Sequence, residues 1–382
     1  MATVNLISGV SAGDGKRYQG EAVYLFAFDV ASEMKRQPIQ TLLGQPVQQF
    51  TAEMTKRAPR ELFFYLPQMV QLPPQQRIGP GGPITVQRAI KLFPVGAISI
   101  AVRVPFEADT IEDLVAYHDL MLDAVPLQQE VRELAERIRR ELSPYVIKPV
   151  EQLRDEEAYT VFCLRPPLKT SEGRELRAED WLLAHRRSVA ALLTQEPDGA
   201  HLSDQEADES TGLYLSYYDS DLVVIDWDAA LVVEDAKSAD ETLHIMELAN
   251  VQLAEMEAYD RMLDDSLERS YRDMTRRGWK RDSLVLRSLR EIRVDLARLS
   301  DELSNITKFF GDWHLARIYQ HLSTRFHLSD WQRALDEKLK TLDGLYQILR
   351  QDQLNRYMLL LEATIVVLFI IDLMLLLPAL MW

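Results

Sequence analysis

Short apolar runs separated by turn residues dominate the first third of the chain. Runs rich in β-branched and aromatic residues predict strands at residues 22–28, 61–65 and 97–104. The cluster Gly79-Pro-Gly-Gly-Pro83 predicts a turn, since it lacks the lysine and hydroxyl residue of a phosphate-binding loop. Helical periodicity follows at about residues 111–122 and 128–142, and the second of these helices carries alternating arginine and glutamate residues that are typical of a solvated face.

A second group of strand-like runs follows residue 150. Strands are predicted from residue 159, at 213–218 and at 222–233, with a helix at about 178–193 and a polar surface loop at 196–211. Together the two groups predict an α+β soluble body in which most strands pair antiparallel. The pattern leaves open whether both groups complete one sheet.

Residues 238–350 differ in composition from the preceding part of the chain, because they contain no proline and few glycines, the residues that interrupt helices. Apolar residues recur at three- and four-residue steps, which predicts a long amphipathic helix to about residue 277 and a second from about 282 to 310. We therefore expect a long helical, coiled-coil-like region. Whether these helices pack within one chain or between protomers stays open.

The run that begins at Tyr357 is apolar for about 21 residues, enough to span a hydrocarbon core of roughly 30 Å. It predicts one C-terminal transmembrane helix, so the protein would be single-pass and tail-anchored. Lys338, Lys340, Arg350 and Arg356 all precede the run, which places the N-terminal body in the cytoplasm. The predicted organisation is 1–150 (N-terminal α+β region), 151–236 (second α+β region), 237–356 (long-helix region) and 357–379 (transmembrane helix).

Two acids, Glu362 and Asp372, interrupt this apolar run. A charged group in hydrocarbon costs about 2.5 to 3.5 kcal/mol, so both should face something other than lipid. Ten residues at 100° each place the two side chains about 80° apart, on one face of the helix. This spacing predicts a homo-oligomer held partly by these acids, with a different membrane partner or a hydrated Glu362 as the alternatives.

Composition and motifs narrow the function. The 382-residue chain has a net charge of -16, which disfavours direct nucleic-acid binding by the body as a whole. Its single cysteine, Cys163, lies in an apolar run and is expected to be a buried core residue. The sequence has no recognised catalytic or dinucleotide-binding signature, and Asp219, Asp221, Asp226 and Asp228 are interpreted as turn or solvent-facing residues. We expect no catalysis, no cofactor and no metal site.

Several segments between residues 155 and 376 resemble the family named for "required for meiotic nuclear division". In that family a Leu-Glu pair opens the terminal membrane helix and a second acid follows ten residues later, as Glu362 and Asp372 do here, with Asp in place of the usual Glu. Two other stretches are similar, Val224-Ile-Asp-Trp-Asp and Glu247-Leu-Ala-Asn-Val-Gln-Leu253. The matching motif residues outside the membrane helix are Trp227, Asn250, Tyr259, Asp260, Trp313 and Tyr319.

The resemblance implies a membrane-anchored, self-associating protein without an established catalytic activity. Eukaryotic relatives are associated with mitochondrial inner-membrane complexes that support the translation machinery, and others with meiosis and sporulation. This chain does not begin with a basic, serine-rich leader, so a cell inner (cytoplasmic) membrane fits better.

These observations predict an oligomeric scaffold whose body binds an unidentified cytoplasmic protein, with a translation-related partner as one option. In this hypothesis the long helices space the body from the bilayer, and the terminal helix anchors and oligomerises it. Two alternatives belong to other classes: an oligomeric ion-conducting protein with the layout of CorA-type channels, and a metal-dependent membrane-bound enzyme that uses the aspartates near Asp226.

Overall fold

A computed structural model describes residues 18–35, 37–50, 67–154, 156–169, 174–197, 199–275, 293–294 and 313–379. The chain divides into two compact units. The first comprises residues 1–255 and 306–328, and the second comprises residues 256–305 and 329–382. The predicted strand at 61–65 and most of the predicted helix at 282–310 lie outside the described residues.

The first unit is built on a mixed sheet. Its strands are numbered in chain order, with the bounds given at the end of this paragraph. Within the described residues, nine strands form one sheet in the order β13-β14-β15-β12-β1-β8-β7-β6-β5, and β2 with β11, β3 with β4 and β9 with β10 form three separate two-stranded sheets. Neighbouring strands of the sheet run antiparallel except β12 and β15, which are parallel. The strands are β1 Tyr18–Asp29, β2 Ala31–Met34, β3 Thr41–Leu42, β4 Gln45–Pro46, β5 Gln48–Gln49, β6 Gln68–Gly79, β7 Gly82–Leu92, β8 Ala97–Ala108, β9 Met121–Leu122, β10 Val125–Pro126, β11 Val146–Pro149, β12 Glu157–Leu164, β13 Tyr214–Leu215, β14 Leu222–Ile225 and β15 Ala229–Val233.

The helices have the following bounds. They are α1 Leu127–Leu142, α2 Ala178–Ala184, α3 Arg186–Leu193, α4 Asp204–Gly212, α5 Ala236–Thr275, α6 Trp313–Arg325 and α7 Leu328–Ala379, with short 3-10 helices at Glu112–Tyr117, Ser143–Tyr145 and Gly199–His201. The predicted sheet body with helices is confirmed. The predicted helix at 111–122 is wrong in extent, because only the 3-10 turn at Glu112–Tyr117 forms before β9.

The central strand β1 is buried on both faces, which explains its continuous apolar sequence. Tyr24, Phe26 and Phe28 belong to the main hydrophobic core together with apolar residues of α1, α2 and α3. Val23 and Leu25 point to the opposite face, where they line a cavity with Leu243 and other residues at the start of α5. Since β1 pairs with β12, strands from both sides of residue 150 share one sheet.

Two predictions about the second strand group are wrong. The run 222–233 is two strands, β14 and β15, joined by a turn at residues 226–228, because the backbone carbonyl of Ala229 accepts from the Asp226 amide and closes a hairpin. The predicted loop at 196–211 contains helix α4, whose first turn is capped by the Ser203 hydroxyl accepting from the Glu206 amide. Cys163 is buried, as predicted.

Two long helices account for most of the remaining described chain. Helix α5 has 40 residues and ends at Thr275, close to the predicted end near residue 277. Helix α7 has 52 residues and contains the 18-residue segment Tyr357–Met374, whose mean hydropathy is 2.2. By length and composition this segment is able to cross a membrane, as predicted. The coiled-coil-like pairing of the long helices and the four region boundaries stay predictions.

Candidate functional site

The start of helix α5 carries buried polar residues that meet the sheet. Its sequence Glu247-Leu-Ala-Asn-Val-Gln-Leu253 would be expected to bury only apolar side chains, yet Glu247, Asn250 and Gln252 are also buried. The Asn250 amide donates to the carbonyls of Leu25 (3.4 Å) and Glu157 (3.0 Å), on the paired strands β1 and β12. This contact fixes the position of α5 on the sheet.

Gln252 has a different partner. The Tyr319 hydroxyl of α6 donates to the Gln252 side-chain oxygen over 2.7 Å, and burial raises the pKa of this tyrosine. Tyr319 and Asn250, both motif residues of the sequence resemblance, therefore lie in the interior of the first unit. They hold helices in place and are not accessible to a partner.

Glu247 forms an ion pair with Lys91 of strand β7. Both are buried, since 2% of Glu247 and 8% of Lys91 is exposed. The Lys91 ammonium also lies 3.3 Å from Nδ1 of His244, one helical turn before Glu247, and 4.1 Å from the centre of the Phe50 ring. The Phe50 ring in turn packs on the imidazole of His244 with 4.7 Å between ring centres. We call Lys91, His244 and Glu247 the buried triad.

The pKa values of the triad follow from burial and charge. Burial alone raises the pKa of Glu247, but the charge of Lys91 and the hydrogen bonds of the triad outweigh it and bring the pKa to about 2. For His244, burial and the neighbouring ammonium both lower the pKa. At neutral pH Glu247 is therefore a carboxylate and His244 an uncharged imidazole.

A cavity of about 440 Å³ lies beside the triad. Its wall combines the triad and Phe50 with apolar residues of β1, β7 and β8 and with charged residues of β8 and α5. One wall residue, Arg103, is held by Glu21 at 3.2 Å and by Asp240 at 2.5 Å. We call this space the α5 cavity.

The sequence offered a signal for this site that pattern reasoning missed. Lys91 is a lone basic residue in the apolar run Ala89-Ile-Lys-Leu-Phe93, and Glu247 lies on a helix face lined with apolar residues. A charged residue in each of two buried faces indicates an ion pair between them. His244 completes the triad, with its Nδ1 3.3 Å from the Lys91 ammonium.

A second buried ion pair lies under the β14–β15 turn. Arg325, the last residue of α6, has its Nε 3.1 Å from Asp226 and donates to the carbonyl oxygen of Glu209 (2.7 Å). Burial raises the pKa of Asp226, and the charge of Arg325 opposes that rise. The Tyr159 hydroxyl donates to the Asp226 carbonyl over 3.1 Å. Asp226 is therefore a structural residue at the turn.

Two of the other aspartates of this region also have structural partners, and Asp228 is exposed. Asp219 pairs with Arg177 at 3.0 Å, and Asp221 accepts from the backbone amides of Tyr217 and Tyr218. Among the residues that the structure describes, no group of three or more His, Cys, Asp or Glu side chains is arranged to hold a metal ion.

Large aromatic side chains are exposed at both ends of α6. Trp313 at its start is 85% exposed, and Trp227, in the β14–β15 turn near the end of α6, is 48% exposed and packs on His327 at 5.0 Å. Tyr217 and Tyr218 pack edge to face, and Tyr217 contacts His314 beside Trp313. We call Tyr217, Tyr218, Trp227 and Trp313 the aromatic surface. Both tryptophans are motif residues of the resemblance.

The remaining motif residues lie in the second unit. Asp260 accepts from Lys338 over 2.6 Å, which joins α5 to α7 within that unit, and Tyr259 is half-buried beside it. Glu362 and Asp372 are exposed on α7 inside the apolar segment, with no protein partner among the described residues.

Comparison with known proteins places the chain in a family. The family described as "Uncharacterized protein MJ0711, N-terminal domain" matches residues 19–240. The match spans the sheet from β1 to β15, including Lys91, and ends just before His244 and Glu247.

One relative is the uncharacterized protein MJ0711 of Methanocaldococcus jannaschii, which is 25% identical over 253 residues, 64% of this chain and 73% of the relative. No solved structure matches the chain. Because the family match covers more than half of the sequence, this chain belongs to the MJ0711 N-terminal domain family.

Proposed function

We propose that this protein is a membrane-anchored scaffold that self-associates and presents its sheet body to a cytoplasmic protein partner. The observation that carries the proposal is the segment Tyr357–Met374, which is long and apolar enough to span a bilayer and has none of its residues buried in the chain's own fold. A soluble helix with so much apolar surface would normally be covered by its own core.

The acids of this segment support self-association. Among the residues that the structure describes, Glu362 and Asp372 have no protein partner, and about 80° between them allows one helix face to carry both. Copies of α7 packed through that face would let the carboxyl groups hydrogen-bond to each other, away from lipid.

The aromatic surface supports a protein partner for the body. Tryptophan and tyrosine are enriched in protein interfaces, and large exposed aromatic groups are uncommon on surfaces that meet only water. Trp313 and Trp227 also belong to the motifs that resemble the meiotic nuclear division family. Membership in that family, a cytoplasmic membrane location and a translation-related partner are parts of the same proposal.

The mass of the intact protein in nanodiscs tests the proposal. We expect an oligomer for the full chain, monomers for a chain ending at Arg350, and a shift toward monomers for Glu362→Leu combined with Asp372→Leu. Thr364→Val is the matched control, because the Thr364 hydroxyl already bonds the Leu360 carbonyl within the helix. An unchanged oligomer in the double variant would remove the role of the acids, and a monomeric intact protein would overturn self-association.

A further inference from the structure

A cleft of about 1140 Å³ in the first unit is lined by helix α1 and by residues of strands β6 and β7. The turn between β3 and β4 forms a further wall and is tied to α1, since the Leu43 amide donates to the Glu141 carboxylate over 3.0 Å. Ligand pockets usually measure roughly 300 to 1,000 Å³, so this space has room for a small molecule. We call it the α1 cleft.

Strand β6 is irregular where it lines the α1 cleft. Its register with β7 shifts between Leu72 and Gln75, around Pro73-Pro74. Gln75 accepts a hydrogen bond from the Arg88 guanidinium of β7 over 2.9 Å, so the irregular segment helps to position this arginine at the cleft. Irregular strand pairing is common beside functional sites, because it redirects side chains.

Most charged groups at this wall are matched by groups of opposite sign. The ion pairs are Glu130 with Arg88 (2.7 Å) and with Arg77 (3.1 Å), Arg77 with Asp123, Glu136 with Arg139 (3.0 Å), and Glu156 with Arg132 (3.0 Å). Four carboxylates thus balance four arginines in this set. These paired groups leave no net charge for a ligand to neutralise.

Arg137 and Arg140 differ from these paired residues. Both line the cleft and are exposed, and neither has a hydrogen bond or ion pair among the residues that the structure describes. They lie three positions apart on α1, so their side chains are neighbours on one helix face. Glu133 of the same wall accepts from Gln129 over 3.2 Å and offsets one of the two charges. The wall keeps an excess of positive charge, although the chain has a net charge of -16.

Arg88 places a further positive group near Arg137. Burial lowers the pKa of Arg88, the charge of Glu130 opposes this change, and the charges of Arg77 and Arg137 lower the pKa further. The guanidinium groups of Arg88 and Arg137 are therefore close enough for their charges to repel each other. An anion in the cleft would reduce this repulsion and supply the partner that Arg137 and Arg140 lack.

A phosphate group matches these arginines better than a carboxylate does. At neutral pH it carries about two negative charges and three acceptor oxygens, whereas a carboxylate carries one charge. Its oxygens suit the planar fork of a guanidinium, and one phosphate has enough of them for two arginines. Leu72, Pro73 and Val125 give the same cleft an apolar wall, on which an organic group attached to the phosphate can pack.

We propose that the α1 cleft binds a small organic phosphate, whose phosphate group contacts Arg137 and Arg140 and whose apolar part packs on Leu72, Pro73 and Val125. A soluble phosphate monoester and the head group of a phosphate monoester lipid share this chemistry. The site is separate from the α5 cavity and from the aromatic surface, and it does not rest on the proposed scaffold role.

Three probes test the ligand class by calorimetry on the full chain in phosphatidylcholine nanodiscs at low salt. Phenyl phosphate carries the phosphate and an apolar ring, benzoate keeps the ring with a carboxylate, and inorganic phosphate lacks the ring. We expect phenyl phosphate to bind, benzoate to bind about ten-fold more weakly because it has half the charge, and inorganic phosphate to bind several-fold more weakly because it buries no apolar surface.

Arginine variants locate the binding. Arg137→Gln and Arg140→Gln remove exposed groups without described partners, so both variants should fold. We expect each to weaken phenyl phosphate binding about three- to ten-fold and the double variant to weaken it at least about ten-fold. Arg317→Gln, which removes an exposed arginine from α6, is the matched control and should leave binding unchanged.

The lipid composition of the nanodisc separates the two sources of phosphate. If phosphatidic acid weakens phenyl phosphate binding more than an equal amount of phosphatidylglycerol, which is anionic but a diester, the occupant is a lipid head group. If the two lipids have the same effect, the occupant is a soluble molecule. Either result keeps the phosphate monoester as the ligand class.

Three results would overturn the proposal. They are no binding of phenyl phosphate at about 10 mM, benzoate or inorganic phosphate binding as tightly as phenyl phosphate, or binding that the folded double variant leaves unchanged. The comparison of the probes needs no variant, so it decides the ligand class even if the double variant does not fold.

Discussion

Breaking the buried pair between Lys91 and Glu247 should destabilise the first unit strongly, because either partner left alone is an uncompensated charge in the interior. Removal of one partner from a buried pair costs about 3 to 5 kcal/mol. The pKa of Glu247 gives a consistent magnitude: a change from the ordinary 4.5 to about 2 corresponds to about 3 kcal/mol favouring the carboxylate. We expect Lys91→Met and Glu247→Leu each to lose about that much.

The double variant separates pairing from packing. When both charges are replaced by apolar side chains of similar volume, no charge is left buried, so the combined variant should regain most of the stability, to within about 1 kcal/mol of the parent. Such a strong departure from additivity is the signature of direct contact. The exposed pair Arg333–Asp330, 3.0 Å apart, is the control, and its removal should cost at most about 0.5 kcal/mol.

The assay is urea unfolding of the full chain in detergent at neutral pH, followed by circular dichroism. The shift of the transition midpoint, multiplied by the slope of unfolding free energy against urea, gives the free-energy change. Single variants that lose less than about 1 kcal/mol, or a double variant that loses the sum of both, would refute the reasoning. The first result would mean that the pair is hydrated, and the second that the two sites act independently.

Three further predictions concern the pH dependence of stability, a buried hydrogen bond and the aromatic surface. The pKa values of Glu247 and His244 in the folded protein lie below their ordinary values, so the unfolded chain binds more protons in acid. Stability should therefore fall as the pH drops below about 6.5, where His244 takes up a proton on unfolding, and fall further between pH 4.5 and about 2 because of Glu247. A midpoint of urea unfolding that is independent of pH over this range would contradict the prediction. Tyr319→Phe removes the donor to Gln252 and should cost about 1 to 2 kcal/mol in the same assay, and a change below about 0.3 kcal/mol would show that the buried bond is not formed. Trp313→Ala should leave the unfolding free energy within about 0.5 kcal/mol, since the side chain is exposed. The variant should also capture less of the proposed cytoplasmic partner from cell extract than the control Ile78→Ala, another exposed apolar residue, and equal capture by both variants would remove Trp313 from the proposed interface.

Local pattern was enough for elements whose formation depends on their own residues. The apolar runs of β1, β8 and β12 and the periodicity of α5 are strong because each is long and buried. The sequence of β14 and β15 has the pattern of one long strand, since Asp226-Trp-Asp228 alternates polar and apolar residues as a strand would. Helix α4 has the polar composition of a loop, although Ser203 and Glu206 have the spacing of a helix-capping box.

Some candidate site residues can be recognised from the local sequence, whereas the role of others depends on the tertiary structure. Glu362 and Asp372 stand out in the sequence because any charge inside a membrane-length apolar run is unusual, whatever the rest of the chain does. Asn250 and Tyr319 stand out in the sequence only as motif residues of the resemblance. Their hydrogen bonds to the sheet and to Gln252 depend on how the sheet, α5 and α6 pack together.

The sequence by itself determined an apolar segment long enough to span a membrane, a body with strands and helices, and a buried cysteine, because these properties are set by neighbouring residues. Only the tertiary structure decided that Lys91 and Glu247, separated by 156 positions, meet as a buried pair beside a cavity. Each is unfavourable in its own apolar element, and the cost is offset only by a partner that folding brings from far along the chain. Each charge stands out in its own apolar run, but the local patterns do not show that these two residues lie beside each other and next to a cavity.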